Sequence, residues 1–370
     1  MYKLIQSLII LLALTTSTAP ANENYIVIDG TQINATVYGA YLPLRDIVEH
    51  IGGTVSWSGR TQQITIRHGR QNVILTIGSR YATINNIEIQ LAKPPQIING
   101  QTMMPSCFFS DHLALGAGHI NNTFILSTTP ARRIPVLVYH HILPEEVPYF
   151  QNNAWTISAE NFTQQMQYLN DNGFYTPTLD ELEAFIYHGR PLPQNSVMIH
   201  FDDGYYSNFV YAYPILQYYG LRAVLFPITG VVESLSGYQP AMSYNNLVHA
   251  SADTLHNGKN IFETASHSHN LHDFAPCRTQ TLLVMATHDE IVADILQSFA
   301  FVSNHRAFAY PLGQYNSTVI EALQEAGITM GFTVTPRYVT TSSDPFRLGR
   351  FTIYRETQMS RFRNIVNGRL

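Results

Sequence analysis

From residue 134 onward the sequence alternates between short apolar segments and amphipathic segments that end at a glycine. The apolar segments, such as residues 134–139 and 197–201, have the length and composition of buried strands. The amphipathic segments, such as residues 159–172 before Gly173, have the spacing and the terminal glycine of helices. Strand-then-helix units joined by short loops require parallel strands covered by helices, which predicts an α/β fold built as a distorted (β/α) barrel. In such barrels the chemistry lies at the carboxyl ends of the strands.

Residues 25–128 follow a different pattern, which contains a weak internal repeat. Each copy is a short helical segment, at residues 41–51 and 104–115, that stops at a glycine and leads into β-rich segments. This pattern predicts a small α+β domain. The polar stretch 129–133 is then a linker, and residues 134–370 form a second, larger domain.

The first residues of the chain have the features of a targeting segment. Lys3 is the single cation, an apolar run follows over residues 4–14, and small residues lead to Ala19-Pro20-Ala21. This order predicts a signal peptide over residues 1–21, with an uncleaved membrane anchor as the alternative. We therefore expect a secreted or extracytoplasmic protein, which includes one held at the cell surface.

The chain is poor in charged side chains, which make up 13% of its 370 residues and leave a formal net charge of −5. No strongly basic face therefore indicates nucleic acid or an anionic membrane as a partner. The polar surface must come largely from neutral side chains, and together with 22 tyrosines this suits a protein that handles neutral sugars.

The strongest chemical signal is Asp202-Asp203-Gly204, which follows the apolar strand at residues 197–201. Neighbouring strand residues point to opposite faces, so both carboxylates can share one site only where the strand ends, and Gly204 permits a turn there. Two adjacent carboxylates repel each other unless a cation lies between them or one of them is a metal ligand. The pair therefore indicates a metal, although an isolated Asp-Asp-Gly is usually a solvated turn.

A second polar segment contains His267, His269 and His272 and follows the predicted strand at residues 260–265. The five-residue spacing of His267 and His272 places them on different faces of a helix, whereas on a loop both imidazoles can turn inward. Two histidines and one aspartate are the three protein ligands of a catalytic zinc site with an open position. His269 fits either a supporting group or an exposed residue. The alternative for the whole segment is a solvated turn.

A third feature is the pair His140-His141, which follows the apolar strand that opens the second domain. A single histidine in this place is usually a packed core residue. Two in succession indicate that one of them points at the mouth of the barrel, because side chains alternate along a strand.

These three motifs resemble those of the polysaccharide deacetylases of carbohydrate esterase family 4, the NodB-homology family. The family's (T/S)-F-D-D-G motif corresponds to residues 200–204, and its H-(S/T)-x-x-H motif corresponds to residues 267–272 with one extra residue. The extra residue and the early Tyr139-His140 are similar to the branch of secreted deacetylases that act on the biofilm polymer poly-N-acetylglucosamine. Residues 25–128 resemble the N-terminal domain of copper amine oxidases, without an evident copper site, and are expected to be a spacer or a cell-wall contact.

The resemblance implies hydrolysis of N-acetyl groups on an N-acetylglucosamine-containing polysaccharide, with release of acetate. It implies one divalent metal, with Zn2+ as the preferred ion, a base carboxylate, an acid histidine and a backbone N–H for the oxyanion. The residues expected in these roles are Asp203, His267 and His272 for the metal, Asp202 as base, His140 as acid, Leu312 and Tyr310 near the oxyanion and substrate, and His141 and His269 as substitute or supporting groups.

The chain departs from the family pattern in one loop. The family's R-x-P-(Y/F) loop corresponds to Ala309-Tyr310-Pro311-Leu312, so the arginine that usually orients the base carboxylate is expected to be missing. Its usual partner segment, D-x-x-D-W, is not evident either. These losses favour an alternative in which a decayed domain only binds a glycan or the cell wall. A glycoside hydrolase is disfavoured, because adjacent carboxylates rarely reach the separation of about 5 Å or more that a glycosidic bond requires.

Overall fold

The computed structural model describes residues 24–147, 153–238, 240–243, 247–276 and 278–370. The predicted signal peptide, residues 1–21, lies outside these residues, and the domain boundaries and the linker stay predictions of the sequence. Within the described ranges, no helix has both the length and the apolar composition that crossing a bilayer requires.

The N-terminal part is a small β-rich domain with two short helices. Alternate residues of two neighbouring strands, Ile64 and Ile66 on one and Val73 and Leu75 on the other, are paired across the sheet and buried, as half-buried strands require. The two copies of the sequence repeat meet where β3 pairs with β10 in antiparallel register. The elements are β1 (Tyr25–Ile28), β2 (Thr31–Ile33), β3 (Tyr41–Pro43), α1 (Leu44–His50), β4 (Thr54–Ser58), β5 (Gln63–His68), β6 (Gln71–Thr76), β7 (Tyr81–Ile84), β8 (Ile87–Gln90), β9 (Gln96–Ile98), β10 (Gln101–Pro105), α2 (Cys107–Leu113), β11 (Gly116–Ile120) and β12 (Thr123–Ser127).

The rest of the chain is a larger α/β domain in which strands alternate with helices. Several helices begin at residues that cap them, for example Thr178 and Thr287, each of which forms a capping box with a glutamate three residues later. The elements are β13 (Val136–Tyr139), β14 (His141–Leu143), β15 (Thr156–Ser158), α3 (Ala159–Asp171), α4 (Leu179–His188), β16 (Met198–Asp203), a π-helix (Asn208–Ala212), α5 (Tyr213–Tyr218), β17 (Ala223–Pro227), α6 (Thr229–Ser234), α7 (Ala252–Asn257), β18 (Phe262–Thr264), α8 (Leu282–Met285), α9 (His288–Ser298), β19 (Ala307–Ala309), a 3₁₀ turn (Pro311–Gly313), α10 (Ser317–Glu325), β20 (Met330–Phe332), β21 (Phe351–Thr352) and α11 (Met359–Val366).

Five parallel strands form the centre of this domain in the order β18-β17-β16-β13-β21. Parallel bridges join Ser266 to Phe308 and Phe332 to Leu348, so the pairing continues through β19 and β20 and returns to the segment that leads into β21. This circular order is the arrangement of a distorted (β/α) barrel. Strands β13 and β16 are buried along their whole length, as strands covered on both faces must be.

Strand β11 of the N-terminal domain packs against the larger domain. A Cβ atom on Gly118 would overlap the ring of Tyr175, so glycine permits this close approach. The Tyr175 hydroxyl accepts a hydrogen bond from the backbone N–H of His119 at 3.1 Å and donates to the Glu181 carboxylate at 2.7 Å. Since Glu181 also caps α4, the N-terminal domain contacts the larger domain at the first turn of that helix.

Candidate active site

The two carboxylates lie where strand β16 ends. Asp203 has a φ angle of 70° and Gly204 one of 76°, so the chain turns sharply through the left-handed region at this point. For a residue other than glycine this conformation costs on the order of 1–3 kcal/mol, and such strain is concentrated at functional sites. The turn lets both carboxylates face one cavity, although they are neighbours in the sequence.

The cavity has a volume of about 480 Å³ and lies at the carboxyl ends of the barrel strands. It brings together residues from several loops that are far apart in the sequence. Eight of the nine residues named from the sequence line it, and the exception is His269. The eight are His140, His141, Asp202, Asp203, His267, His272, Tyr310 and Leu312.

Three of these side chains converge on one point. The Nε2 atoms of His267 and His272 lie 3.5 Å and 3.3 Å from Oδ1 of Asp203, and one ligand atom from each residue lies within 4.8 Å of the others. The Nδ1 atom of His267 is 2.8 Å from the carbonyl oxygen of Ala309. Because a carbonyl oxygen can only accept a hydrogen bond, the proton of the neutral imidazole lies on Nδ1. The lone pair of Nε2 therefore faces Asp203, and the donor set of two nitrogens and one oxygen fits a divalent ion such as Zn2+.

The pKa shifts of Asp203 and His267 suit metal binding, whereas the net shift of His272 favours its protonated form. Burial raises the pKa of Asp203, but the hydrogen bond from His272 and the nearby His140 and His267 outweigh it, so the pKa lies below its ordinary value. Burial lowers the pKa of His267 to about 4. Burial lowers the pKa of His272, but the hydrogen bond and the charge of Asp203 raise it by more, so the net shift is upward. At neutral pH the site thus offers an ionised carboxylate and a neutral imidazole, the forms that bind metals.

The second carboxylate, Asp202, is held by an arginine that the sequence analysis did not find. The guanidinium of Arg350 donates to both oxygens of Asp202, at 2.8 Å and 2.7 Å, and its Nε donates to the carbonyl of Thr333 at 2.9 Å. Arg350 is fully buried and Asp202 is 2% exposed. Burial raises the pKa of Asp202, but the charge and hydrogen bonds of Arg350 lower it below its ordinary value. Asp202 is therefore an ionised carboxylate of fixed orientation.

The prediction that the orienting arginine is missing holds for its usual loop but not for the structure as a whole. The loop at residues 309–312 does lack it, but Arg350, just before β21, occupies the corresponding role from another part of the chain. The only sequence signal was an arginine between Gly349 and Phe351 at the start of an apolar segment. That signal does not reveal its partner, because the pairing depends on which strands become neighbours.

The two histidines after β13 have different surroundings. The ring of His140 lies 4.7 Å from that of Trp155, and its buried Nδ1 atom has no hydrogen-bond partner among the described residues. His141 is 2% exposed, its Nδ1 lies 2.6 Å from the Ser207 hydroxyl, and its ring stacks on Tyr205 at 4.4 Å. Burial, together with nearby His249, lowers the pKa of His141 to about 4. His141 is thus a packed residue that is neutral at neutral pH.

The remaining candidates differ in how close they come to the cavity. Leu312 has a φ angle of 54° in the turn after β19 and its side chain is 44% exposed. The hydroxyl of Tyr310 donates to the carbonyl of Phe346 at 2.9 Å, so it is engaged within the fold. His269 turns away from Asp203 and contacts α6, as its Nδ1 lies 3.0 Å from the Thr229 hydroxyl.

Parallel strands whose carboxyl ends present paired carboxylates and histidines around a cavity are typical of a hydrolase. Two segments of the chain match models of known families. Residues 189–331 match the family described as polysaccharide deacetylase, and residues 18–123 match the copper amine oxidase N-terminal domain. Residues 189–331 are therefore similar to polysaccharide deacetylase domains, and residues 18–123 are similar to the N-terminal domain of copper amine oxidases.

Known proteins that resemble this chain are deacetylases. The poly-beta-1,6-N-acetyl-D-glucosamine N-deacetylase of Staphylococcus epidermidis is 27% identical over 203 residues, which are 54% of this chain and 68% of that protein. The structure of the Streptococcus pyogenes deacetylase PplD in complex with acetate covers 64% of this chain and 99% of its own, with a TM-score of 0.55 and 24% identity. The de-N-acetylase of Aggregatibacter actinomycetemcomitans covers 63% of this chain and 99% of its own, with a TM-score of 0.53 and 25% identity. These likenesses confirm the predicted α/β fold class.

Replacing Arg350 with methionine should lower the free energy of unfolding by about 3–5 kcal/mol at neutral pH, because Asp202 stays buried without its cationic partner. In the unaltered protein the lowered pKa of Asp202 contributes stability above the pKa of the unfolded chain. In the variant, burial alone raises that pKa, so protonation at acid pH relieves part of the loss. Urea denaturation at neutral and acid pH measures both effects.

Arg347→Met is the matched control, since Arg347 forms an exposed ion pair with Asp344. Such surface pairs contribute at most about 1 kcal/mol. Equal losses in the two variants, or a loss at Arg350 that grows toward acid pH, would contradict a structural role for the buried pair.

Proposed function

We propose that this protein is a secreted, metal-dependent polysaccharide N-deacetylase that releases acetate from a polymer of N-acetylglucosamine. The single observation that carries the proposal is the convergence of Asp203, His267 and His272 beside an aspartate that Arg350 holds in place. A divalent ion, Zn2+ by preference, would supply an activated water for attack on the acetyl carbonyl.

The general base is Asp202. Its carboxylate is ionised at neutral pH, and the two hydrogen bonds from Arg350 leave lone pairs on both oxygens for a proton from water. Because the guanidinium and the carbonyl of Thr333 lock this geometry, the base needs no reorientation when the proton moves. Asp202 is thus separated in role from its neighbour Asp203, which faces the two histidines.

The general acid is His140. An amide nitrogen is a poor leaving group and must be protonated as the C–N bond breaks. His140 lines the same cavity as Asp202 and Asp203, and packing against Trp155 restricts its ring. Leu312 has a left-handed backbone conformation at the cavity wall. The backbone N–H at this turn is the proposed donor to the oxyanion.

The proposed substrate follows from the cavity wall and from the relatives. Among the described residues, those that line the cavity include no Lys or Arg, and they include the half-exposed rings of Trp155 and Phe274, which suit the C–H faces of neutral sugars. The Staphylococcus epidermidis relative is a poly-beta-1,6-N-acetyl-D-glucosamine N-deacetylase, which supports a polymer of N-acetylglucosamine. Secretion rests on the signal-peptide pattern of residues 1–21, and the N-terminal domain is proposed as a spacer or a cell-wall contact.

The alternative, a decayed domain that only binds glycan, rested on the missing arginine and on the missing D-x-x-D-W segment. Arg350 removes the first of these arguments, since Asp202 has its cationic partner. The distinguishing observation is acetate release from N-acetylglucosamine oligomers with and without a chelator. Binding of the oligomer without release under either condition would favour the alternative.

Replacing Asp203 with asparagine should abolish metal binding and acetate release together, because the site loses its only anionic ligand. Asp253→Asn is the control, since Asp253 is exposed in the first turn of α7 and its replacement should leave both quantities unchanged. Bound Zn2+ and acetate are measured on the same samples. A metal-loaded, active Asp203→Asn variant would refute the ligand assignment.

Replacing His140 with glutamine should lower kcat about 10²- to 10⁴-fold while Zn2+ affinity stays the same, because the variant loses an acid and not a ligand. Exposed His256, at the end of α7, provides a control in His256→Gln, which should behave like the unaltered protein. His141→Gln tests the competing assignment, in which His141 is the general acid. If it lost more kcat than His140→Gln with Zn2+ still bound, the acid would be His141 instead.

A further inference from the structure

The loop between the two proposed histidine ligands has a strained backbone and few hydrogen bonds of its own. Ser268 is fully buried and has a φ angle of 71°, in the left-handed region that residues other than glycine avoid. Within the loop, the hydroxyl of Ser268 accepts one hydrogen bond, from the N–H of Leu271 at 2.9 Å. A loop of this kind keeps one shape only if neighbouring elements impose it.

Helix α9 supplies that constraint through Asp294. One carboxylate oxygen of Asp294 accepts the backbone N–H of His269 at 2.8 Å, and the other accepts that of Asn270 at 2.6 Å. These are two of the residues between His267 and His272. Asp294 is only 6% exposed and takes part in no ion pair with Lys or Arg among the described residues. A buried carboxylate is costly, so its hydrogen bonds to this loop identify what it stabilises.

Helix α6 holds the opposite side of the same loop. The backbone N–H groups of Thr229 and Gly230 donate to the carbonyls of Ser268 and His269, at 3.1 Å and 2.9 Å. The imidazole of His269 lies 3.2 Å from the carboxylate of Glu233 on the same helix. The loop is therefore held from two sides, and on the α9 side a single carboxylate makes both contacts to its backbone N–H groups.

We infer that Asp294 is a positioning residue that preforms the metal-binding loop, so that His267 and His272 face Asp203 before an ion arrives. The inference rests on the proposed metal site. A site that already has its binding geometry loses less conformational entropy when the ion binds. Its affinity for the ion is therefore higher. Loss of groups that orient metal ligands typically weakens metal binding about 10- to 100-fold.

The test is the Zn2+ dissociation constant of Asp294→Asn, measured by competition with a chromogenic chelator. The asparagine keeps the size of the side chain but replaces one acceptor oxygen with an NH₂ group that faces a backbone N–H. We expect an increase of about 10- to 100-fold, with acetate release restored by excess Zn2+. Asp289→Asn, an exposed substitution on the same helix, should leave the dissociation constant unchanged. An Asp294→Asn variant that melts lower but binds Zn2+ as tightly as the unaltered protein overturns the inference.

Hydrogen exchange in the unaltered protein tests the same inference without a substitution. The amides of His269 and Asn270 should be protected in the metal-free protein as well as in the Zn2+-loaded one. Rapid exchange that becomes slow only after Zn2+ is added would mean that the ion orders the loop, which contradicts the inference. A protein that binds Zn2+ with these properties but releases no acetate would refute the proposed function and leave the role of Asp294 intact.

Discussion

Two carboxylates at the end of one buried strand repel each other, and the site of this protein depends on how that repulsion is relieved. Each aspartate has its own partners: Arg350 holds Asp202 through two hydrogen bonds, while His267 and His272 face Asp203. The barrel makes this division possible, because the partners come from strand ends on different sides of β16. Adjacent residues of identical chemistry thereby acquire different roles.

Three of the residues with a left-handed backbone conformation lie at or beside the site. Asp203, Ser268 and Leu312 all have positive φ angles, and each lies in a turn at a strand end around the cavity. Such conformations are unfavourable unless surrounding contacts impose them. Here the contacts come from the outer helices as well as from the strands, as Asp294 and Thr229 show for the histidine loop. The outer shell of the domain therefore helps to define the geometry of its centre.

Much of this site follows from one rule, that parallel strands meet at their carboxyl ends. The rule placed Asp202, Asp203, His267 and His272 around one cavity, and the resemblance to polysaccharide deacetylases supplied the roles that are proposed for them. It could not find Arg350, because the arginine lies 148 positions from Asp202 and its partner depends on the closure of the barrel. Nor could it separate His140 from His141, since that difference arises from packing on Trp155 and Ser207.

The most direct test of this account is anomalous diffraction at the zinc edge from crystals grown with Zn2+. We predict one peak within about 2.0–2.2 Å of a carboxylate oxygen of Asp203 and the Nε2 atoms of His267 and His272. Asp202 should keep its two hydrogen bonds from Arg350. A peak held by Asp202 in place of Asp203, or no peak between the two histidines, would contradict the division of roles between the two aspartates.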